Sequence, residues 1–282
     1  MNAADLSAIL TRRSGSNFYY SFLFLPRRKR HAIYALYAFC RTVDDAVDQG
    51  VATPIEQRRT LAEWRLELAR AYEGSPTQPI AQHLAEVVRA FPVQRQHLEA
   101  ILDGVEMDID RRRYATFEEL HEYCYRVAAA VGLACIEIFG YTDLRARDYA
   151  INLGVALQLT NILRDLRTDA ERGRIYLPLD EIRRFGYSEE ELFQGRHTPA
   201  FVGLMRFQAD RAHAYYRAAR AALPQADRRR LIAAEIMGRI YRALLREVEA
   251  RQFRVFDGRI RVSTPKKVAL ALGAYVHGQL AP

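Results

Sequence analysis

Gln158-Leu159-Thr160-Asn161-Ile162-Leu163-Arg164-Asp165-Leu166-Arg167-Thr168-Asp169 decides the fold. Gln158, Asn161, Asp165 and Asp169 recur at three- and four-residue intervals, so on a helix they share one face. Amide and carboxylate oxygens are the ligands that Mg²⁺ prefers. Arg164, Arg172 and Arg174 add cations suited to phosphate. Polar groups in an otherwise apolar helix need partners, and metal with diphosphate would supply them. The alternative is a surface face held by intrahelical acid–base pairs, which the uncharged Gln158 and Asn161 disfavour.

A second acidic segment, Asp44-Asp45-Ala46-Val47-Asp48, lies far upstream. Asp44 and Asp48 also stand one helical turn apart, where like charges repel. Ahead of them run Tyr34, Tyr37, Phe39, Cys40 and Arg41. An aromatic helix entering a carboxylate cluster suits a substrate with an apolar tail and a diphosphate head. Arg41 is placed either to pair with Asp45 or to contact phosphate. The competing reading is a helix C-terminus with solvated acids before Gly50, although acids there oppose the helix dipole.

Outside these segments the periodicity is helical. Helices are expected over Arg28 to Asp48, from Pro54 to Gly74, and over Val93 to Asp110. Phe117 to Phe139 reads as a central buried helix, and Asp143 to about Asp169 carries the second acidic set. Gly173 to Pro178 breaks the chain. Short helices follow near Asp180 and Ser188, then long ones over Pro199 to Leu223 and Gln225 to Phe253. Ser263-Thr264-Pro265 caps a last helix. No strand-like alternation, linker or fixed-period repeat is visible. The expected architecture is all-α, one domain over residues 1–282, with helices around a central pocket.

The 282 residues are half hydrophobic and carry a net charge of +8, and only three of the 42 basic residues are lysine. Such a balance fits an anionic substrate, an anionic membrane surface or nucleic acid, but no nucleic-acid-binding signature is present. Cys40, Cys124 and Cys135 lack metal-ligand spacing and read as small buried hydrophobes in a reducing compartment. No signal peptide is visible, and the apolar runs Phe18–Leu25 and Val268–Val276 are too short to span a bilayer. The expectation is a cytoplasmic protein, peripheral to the inner membrane face at most. Glu106, Asp108 and Asp110 read as a solvated acidic face. The basic set Arg259, Arg261, Lys266 and Lys267 reads as charged surface, with a diphosphate cap or lipid contact as alternatives.

The run Leu153–Asp169, ending in Arg174-Ile175-Tyr176-Leu177-Pro178, resembles the second signature of squalene and phytoene synthases. Tyr123-Cys124-Tyr125-Arg126-Val127-Ala128-Ala129-Ala130-Val131-Gly132 resembles the first, and Asp44 to Asp48 matches the first aspartate-rich motif. The resemblance runs from about residue 14 to the C-terminus and implies the all-α isoprenoid synthase fold. It implies Mg²⁺-dependent head-to-head joining of two allylic diphosphates, with Asp44, Asp48, Asn161, Asp165 and Asp169 as metal ligands. Arg41, Arg164 and Arg174 would contact diphosphate, with Gln158 and Ser16 also on the substrate, and Tyr37 would line the site. The opening Gly15–Pro26 is similar to bacterial presqualene diphosphate synthases of hopanoid biosynthesis. These take two farnesyl diphosphates, need no NADPH and pass the cyclopropyl product to a downstream enzyme. Squalene synthase, phytoene or diapophytoene synthase, and a non-catalytic assembly factor are the alternatives. Arg126 stands where many two-step relatives have tyrosine, so it is expected to hold the second diphosphate, with a salt-bridged surface arginine as the competing reading.

Overall fold

The computed structural model describes residues 7–9, 21–48 and 52–280, the side chains of Asp48 and of residues 278–280 excepted. Ser16, Tyr19, Tyr20 and Gly50 lie outside the described residues.

The helices are α1 (Arg27–Asp48), α2 (Pro54–Glu73), α3 (Pro79–Ala90), α4 (Arg95–Asp110), α5 (Phe117–Cys124), α6 (Ala130–Phe139), α7 (Arg145–Glu171), α8 (Leu179–Arg184), α9 (Glu189–Phe193), α10 (Pro199–Ala222), α11 (Ile232–Ala250) and α12 (Thr264–Leu280). Among the described residues no strand forms, only a parallel bridge between Arg113 and Ile175. The main apolar core runs from Phe22 to Val262, and a smaller cluster joins α11 to α12.

Local chemistry sets many boundaries. Thr53 and Glu56 form a capping box at α2, Pro54 occupies its first turn, and Gly74 closes it at φ 92°. The stretch Phe117–Phe139 departs from the expected single α-helix, because Tyr125–Ala129 widens into a π-helical turn between α5 and α6. That turn packs between α4 and α7, and glycines on both make room for it. A Cβ at Gly104 would stand 2.7 Å from Val127 Cγ1, and one at Gly154 would stand 2.7 Å from Ala128 O. α3 has no counterpart in the periodicity reading.

The expected helix from Gln225 to Phe253 is also divided. Gln225–Asp227 is a 3₁₀ turn, and α11 begins only at Ile232. The fully buried Asp227 is committed elsewhere. Its carboxylate accepts from the backbone N–H groups of Thr142 and Asp143, each at 2.9 Å, tying this turn to the start of α7.

Candidate active site

α1, the π turn with α6, α7, α11 and the segment Arg259–Lys267 enclose a cavity of about 1110 Å³. Its wall is mainly apolar, with Phe22, Leu36, Val131, Phe139, Leu157 and Met237 among the residues lining it. Charged and amide side chains enter from three sides: Arg41 and Asp44 from α1, Gln158, Asn161 and Arg164 from α7, and Arg259, Arg261 and Lys267 from the C-terminal segment. A largely apolar hollow entered by charged and amide groups matches an amphiphilic ligand.

The helical spacing read from the sequence produces this arrangement. α1 presents Tyr37, Cys40, Arg41 and Asp44 to the cavity, at three- and four-residue intervals. α7 presents Leu153, Gly154, Leu157, Gln158, Asn161 and Arg164 in the same way. Arg41 Nη2 lies 2.6 Å from Asp45, so it both pairs within its helix and lines the cavity.

Arg164 is largely buried and grips Asp165 with two nitrogens, Nε donating to Oδ1 at 2.8 Å. Burial opposes its charge, but the bonds to Asp165 prevail and hold the guanidinium above its usual pKa, with Tyr241 adding to the effect. Asn161 Nδ2 donates to Gln158 Oε1 at 3.3 Å. Its Oδ1 is shielded from solvent and has no hydrogen-bond partner among the described residues.

Asp169 is partly buried at the end of the same face. Burial pushes its carboxyl up to about 8, and the nearby Asp165 and Asp108 charges push in the same direction, against Arg172 and Arg174. Asp169 and Asp165 are not among the residues lining the cavity, and neither is Arg174. Arg174 reaches the backbone oxygen of Asp108 at 3.3 Å. Asp48 closes α1, and its side chain lies outside the described residues.

Asp108 belongs to no solvated face. Tyr123 Oη donates to its Oδ2 at 2.9 Å and Tyr176 Oη to its Oδ1 at 2.7 Å. Tyr114, Tyr123 and Tyr176 form a buried ring cluster beside it. Glu106 and Asp110 instead pair with Arg65 and Arg58 of α2. Arg126 Nη2 bonds Glu122 at 2.7 Å and Nη1 lies 3.5 Å from Asp103, and it does not line the cavity.

Periodicity alone missed several wall residues. Cys40 and Cys135 line the cavity and so are more than core filler, although burial raises both thiol pKa values, Cys135 to about 12. Tyr241 and Leu244 come from α11, and Arg259, Arg261 and Lys267 prove to be cavity residues, not plain surface. The clustering of basic residues on either side of Ser263 was the available signal.

Among the described residues, no three histidine, cysteine or acidic side chains are close enough together to hold a metal by themselves. The unpartnered Asn161 Oδ1 and the cavity-lining Asp44 are oxygen donors of the kind that suits an ion completing its shell with phosphate and water, whereas both Asp165 oxygens are bonded to Arg164. The residues present therefore fit Mg²⁺.

An all-α cavity whose apolar wall carries one acid, two amides and several arginines suits a ligand with an anionic head and an apolar tail. The sequence matches the squalene/phytoene synthase family over residues 11–266, and the chain belongs to that family. Its fold is the isoprenoid synthase fold, and its family activity is prenyl transfer by head-to-head condensation. It is 36% identical to the 15-cis-phytoene synthase of Synechocystis sp., over 99% of this chain and 86% of that one. It is 37% identical to the phytoene synthase of Arthrospira platensis, over 94% of this chain and 89% of that one. Among solved structures it resembles a dehydrosqualene synthase in complex with ligand (TM-score 0.86, 31% identity, 98% of this chain and 96% of that one). It also resembles the squalene synthase HpnC from Alicyclobacillus acidocaldarius (TM-score 0.80, 28% identity, 89% and 94%).

Proposed function

We propose that this chain joins two farnesyl diphosphates head to head and releases presqualene diphosphate. The observation that carries the reading is the cavity itself. Asp44 and Arg41 face Gln158, Asn161 and Arg164 across a hollow whose remaining wall is largely apolar. The resemblance of the Gly15–Pro26 stretch to presqualene diphosphate synthases supports this substrate and stopping point.

In the proposed reaction the allylic C–O bond of one farnesyl diphosphate breaks and diphosphate departs. Its C1 bonds to the double bond of the second substrate, a proton leaves, and the ring closes to a cyclopropane that keeps the second diphosphate. Arg164, Arg41 and the C-terminal cations Arg259, Arg261 and Lys267 are placed to neutralise diphosphate oxygens. Arg164 is held in position by Asp165. Phe22 and Tyr37 line the cavity with rings 6.4 Å apart in an edge-to-face pair, aromatic groups of the kind that stabilise a developing carbocation, and the apolar wall keeps water from quenching it.

Asp44 and Asn161 would hold Mg²⁺, with Asp48, Asp165 and Asp169 completing the set by resemblance. Magnesium, when bound, supplies electrostatic stabilisation of the departing diphosphate. Reductant has no part in a reaction that ends at the cyclopropane. The second reading is phytoene synthase, favoured by the curated relatives at 36% and 37% identity.

Incubating the protein with Mg²⁺ and either farnesyl or geranylgeranyl diphosphate, with and without NADPH, separates these readings by product mass. A C30 cyclopropyl diphosphate unaffected by NADPH is the expected result. Phytoene from the C20 substrate would replace the first reading with the second, squalene formed only with NADPH would overturn the stopping point, and no turnover would overturn both readings.

A further inference from the structure

Between Val268 and Val276, helix α12 is apolar around its circumference. From Val268 to Val276 it carries no charged residue. One side is accounted for: Leu270, Ala271 and Ala274 pack on Ile232, Ile236 and Ile240 of α11. The opposite side is not. Val268, Leu272 and Val276 are 42%, 51% and 54% exposed, one helical turn apart. Tyr275 adds to this face and packs against Phe24 with the rings tilted by 37° and their centroids 5.2 Å apart, beside the exposed Leu23. A surface helix ordinarily turns charged residues outward, and a continuous exposed apolar patch marks an interaction surface.

Basic residues frame the strip at both ends. Lys266 and Lys267 lie in the first turn of α12, and Arg259 and Arg261 in the segment just before it. At the far end, Arg30 reaches the backbone oxygen of Leu23 at 3.4 Å, and Arg27 is exposed on the first turn of α1. A second copy of the chain is a poor occupant, because pairing the strip with itself in either direction sets positive ends against positive ends. No helix of the described residues is long and apolar enough to cross a membrane; an exposed apolar strip flanked by cations is the pattern of a helix that lies along a bilayer surface.

We propose that this face docks the protein on an anionic bilayer. Leu23, Val268, Leu272, Tyr275 and Val276 enter the headgroup boundary, and Lys266, Arg27 and Arg30, which do not line the cavity, meet lipid phosphates. Thr264 and Lys267, in the first turn of the same helix, line the catalytic cavity, so docking sets the cavity edge beside the membrane. The inference extends the proposed reaction but is tested without substrate, so its failure leaves that reaction standing.

The test is co-sedimentation of the full chain with phosphatidylcholine vesicles, with and without phosphatidylglycerol. Association is expected with the anionic vesicles, weakening as salt rises. Leu272→Ser combined with Val276→Ser is expected to weaken binding about tenfold without lowering the thermal midpoint, since both side chains face solvent. Equal binding to both vesicle types, or none to either, would overturn the proposal. So would undiminished binding by the double variant, or a dimer in sedimentation velocity that this variant abolishes. The salt series on the unaltered protein reads the charge contribution independently of any variant.

Discussion

Replacing Asn161 by leucine should make the protein more stable and less active. Asn161 Oδ1 is sealed from solvent with no hydrogen-bond partner among the described residues, while Nδ2 makes a long bond of 3.3 Å to Gln158. A buried acceptor left unsatisfied costs about 1–3 kcal/mol, and an ordinary hydrogen bond contributes about 0.5–1.5 kcal/mol, less at that length. Leucine removes the first and forfeits the second, with a small gain in helix propensity. The net expectation is about 1 kcal/mol of stabilisation, or a rise of about 2–4 °C in melting temperature for a chain of this size. Turnover should fall about a hundredfold, as for loss of a group that stabilises a leaving anion. Calorimetry in chelator reads the first effect and product formation with Mg²⁺ the second. Adding Mg²⁺ and a non-reactive diphosphate should raise the midpoint of the wild type more than that of Asn161→Leu. A variant less stable than wild type in chelator would refute the stored cost at Oδ1, and wild-type turnover would refute its use as a ligand.

Three other outcomes follow from the geometry. Glu67 is 5% exposed, and burial alone would raise its pKa, but the Gln78 and Thr77 N–H groups, the Thr77 hydroxyl and Arg70 hold it near 2 against an ordinary 4.5. A depressed carboxyl stabilises the fold above its unfolded pKa, so Glu67→Gln should lose up to about 3 kcal/mol at neutral pH. The deficit should shrink as pH falls from about 4.5 toward 2, and a deficit independent of pH in denaturant titrations would refute the assignment. Gly154→Ala would set a Cβ 2.7 Å from Ala129 Cα, which is backbone and cannot swing aside; a loss of about 1–3 kcal/mol should appear in thermal melts, together with reduced turnover. Arg126→Tyr breaks partly exposed pairs with Glu122 and Asp103, so it should cost less than about 1 kcal/mol and leave the product unchanged, and a changed product by mass spectrometry would return Arg126 to the site.

The helix faces were legible because periodicity is a local property. Asp44 follows Arg41 and Tyr37 at intervals that one helix must align, and Asn161 follows Gln158 for the same reason. Local signals also marked the caps, such as Thr53 with Glu56 and Pro54. The π turn at Tyr125–Ala129 was not legible, since its room comes from Gly104 and Gly154 on two other helices. Asp108 looked like one of three solvated acids, and only the approach of Tyr123 and Tyr176 gives it a buried pair of donors. The division before α11 was hidden as well, because the carboxylate of Asp227 accepts from the backbone N–H of Thr142, which is 85 residues away.

By itself, then, the sequence determined an all-α chain with two polar helix faces and a family signature, since these depend on spacing along one helix. The tertiary structure decided which faces meet. It set Arg259, Arg261 and Lys267 around the cavity, turned Arg126 toward the acids of α4 and α5, and left one side of α12 exposed. Each of these depends on packing between segments distant in the chain. A side chain's local pattern names its face, but only the neighbouring helix determines whether that face meets solvent, a carboxylate or a cavity.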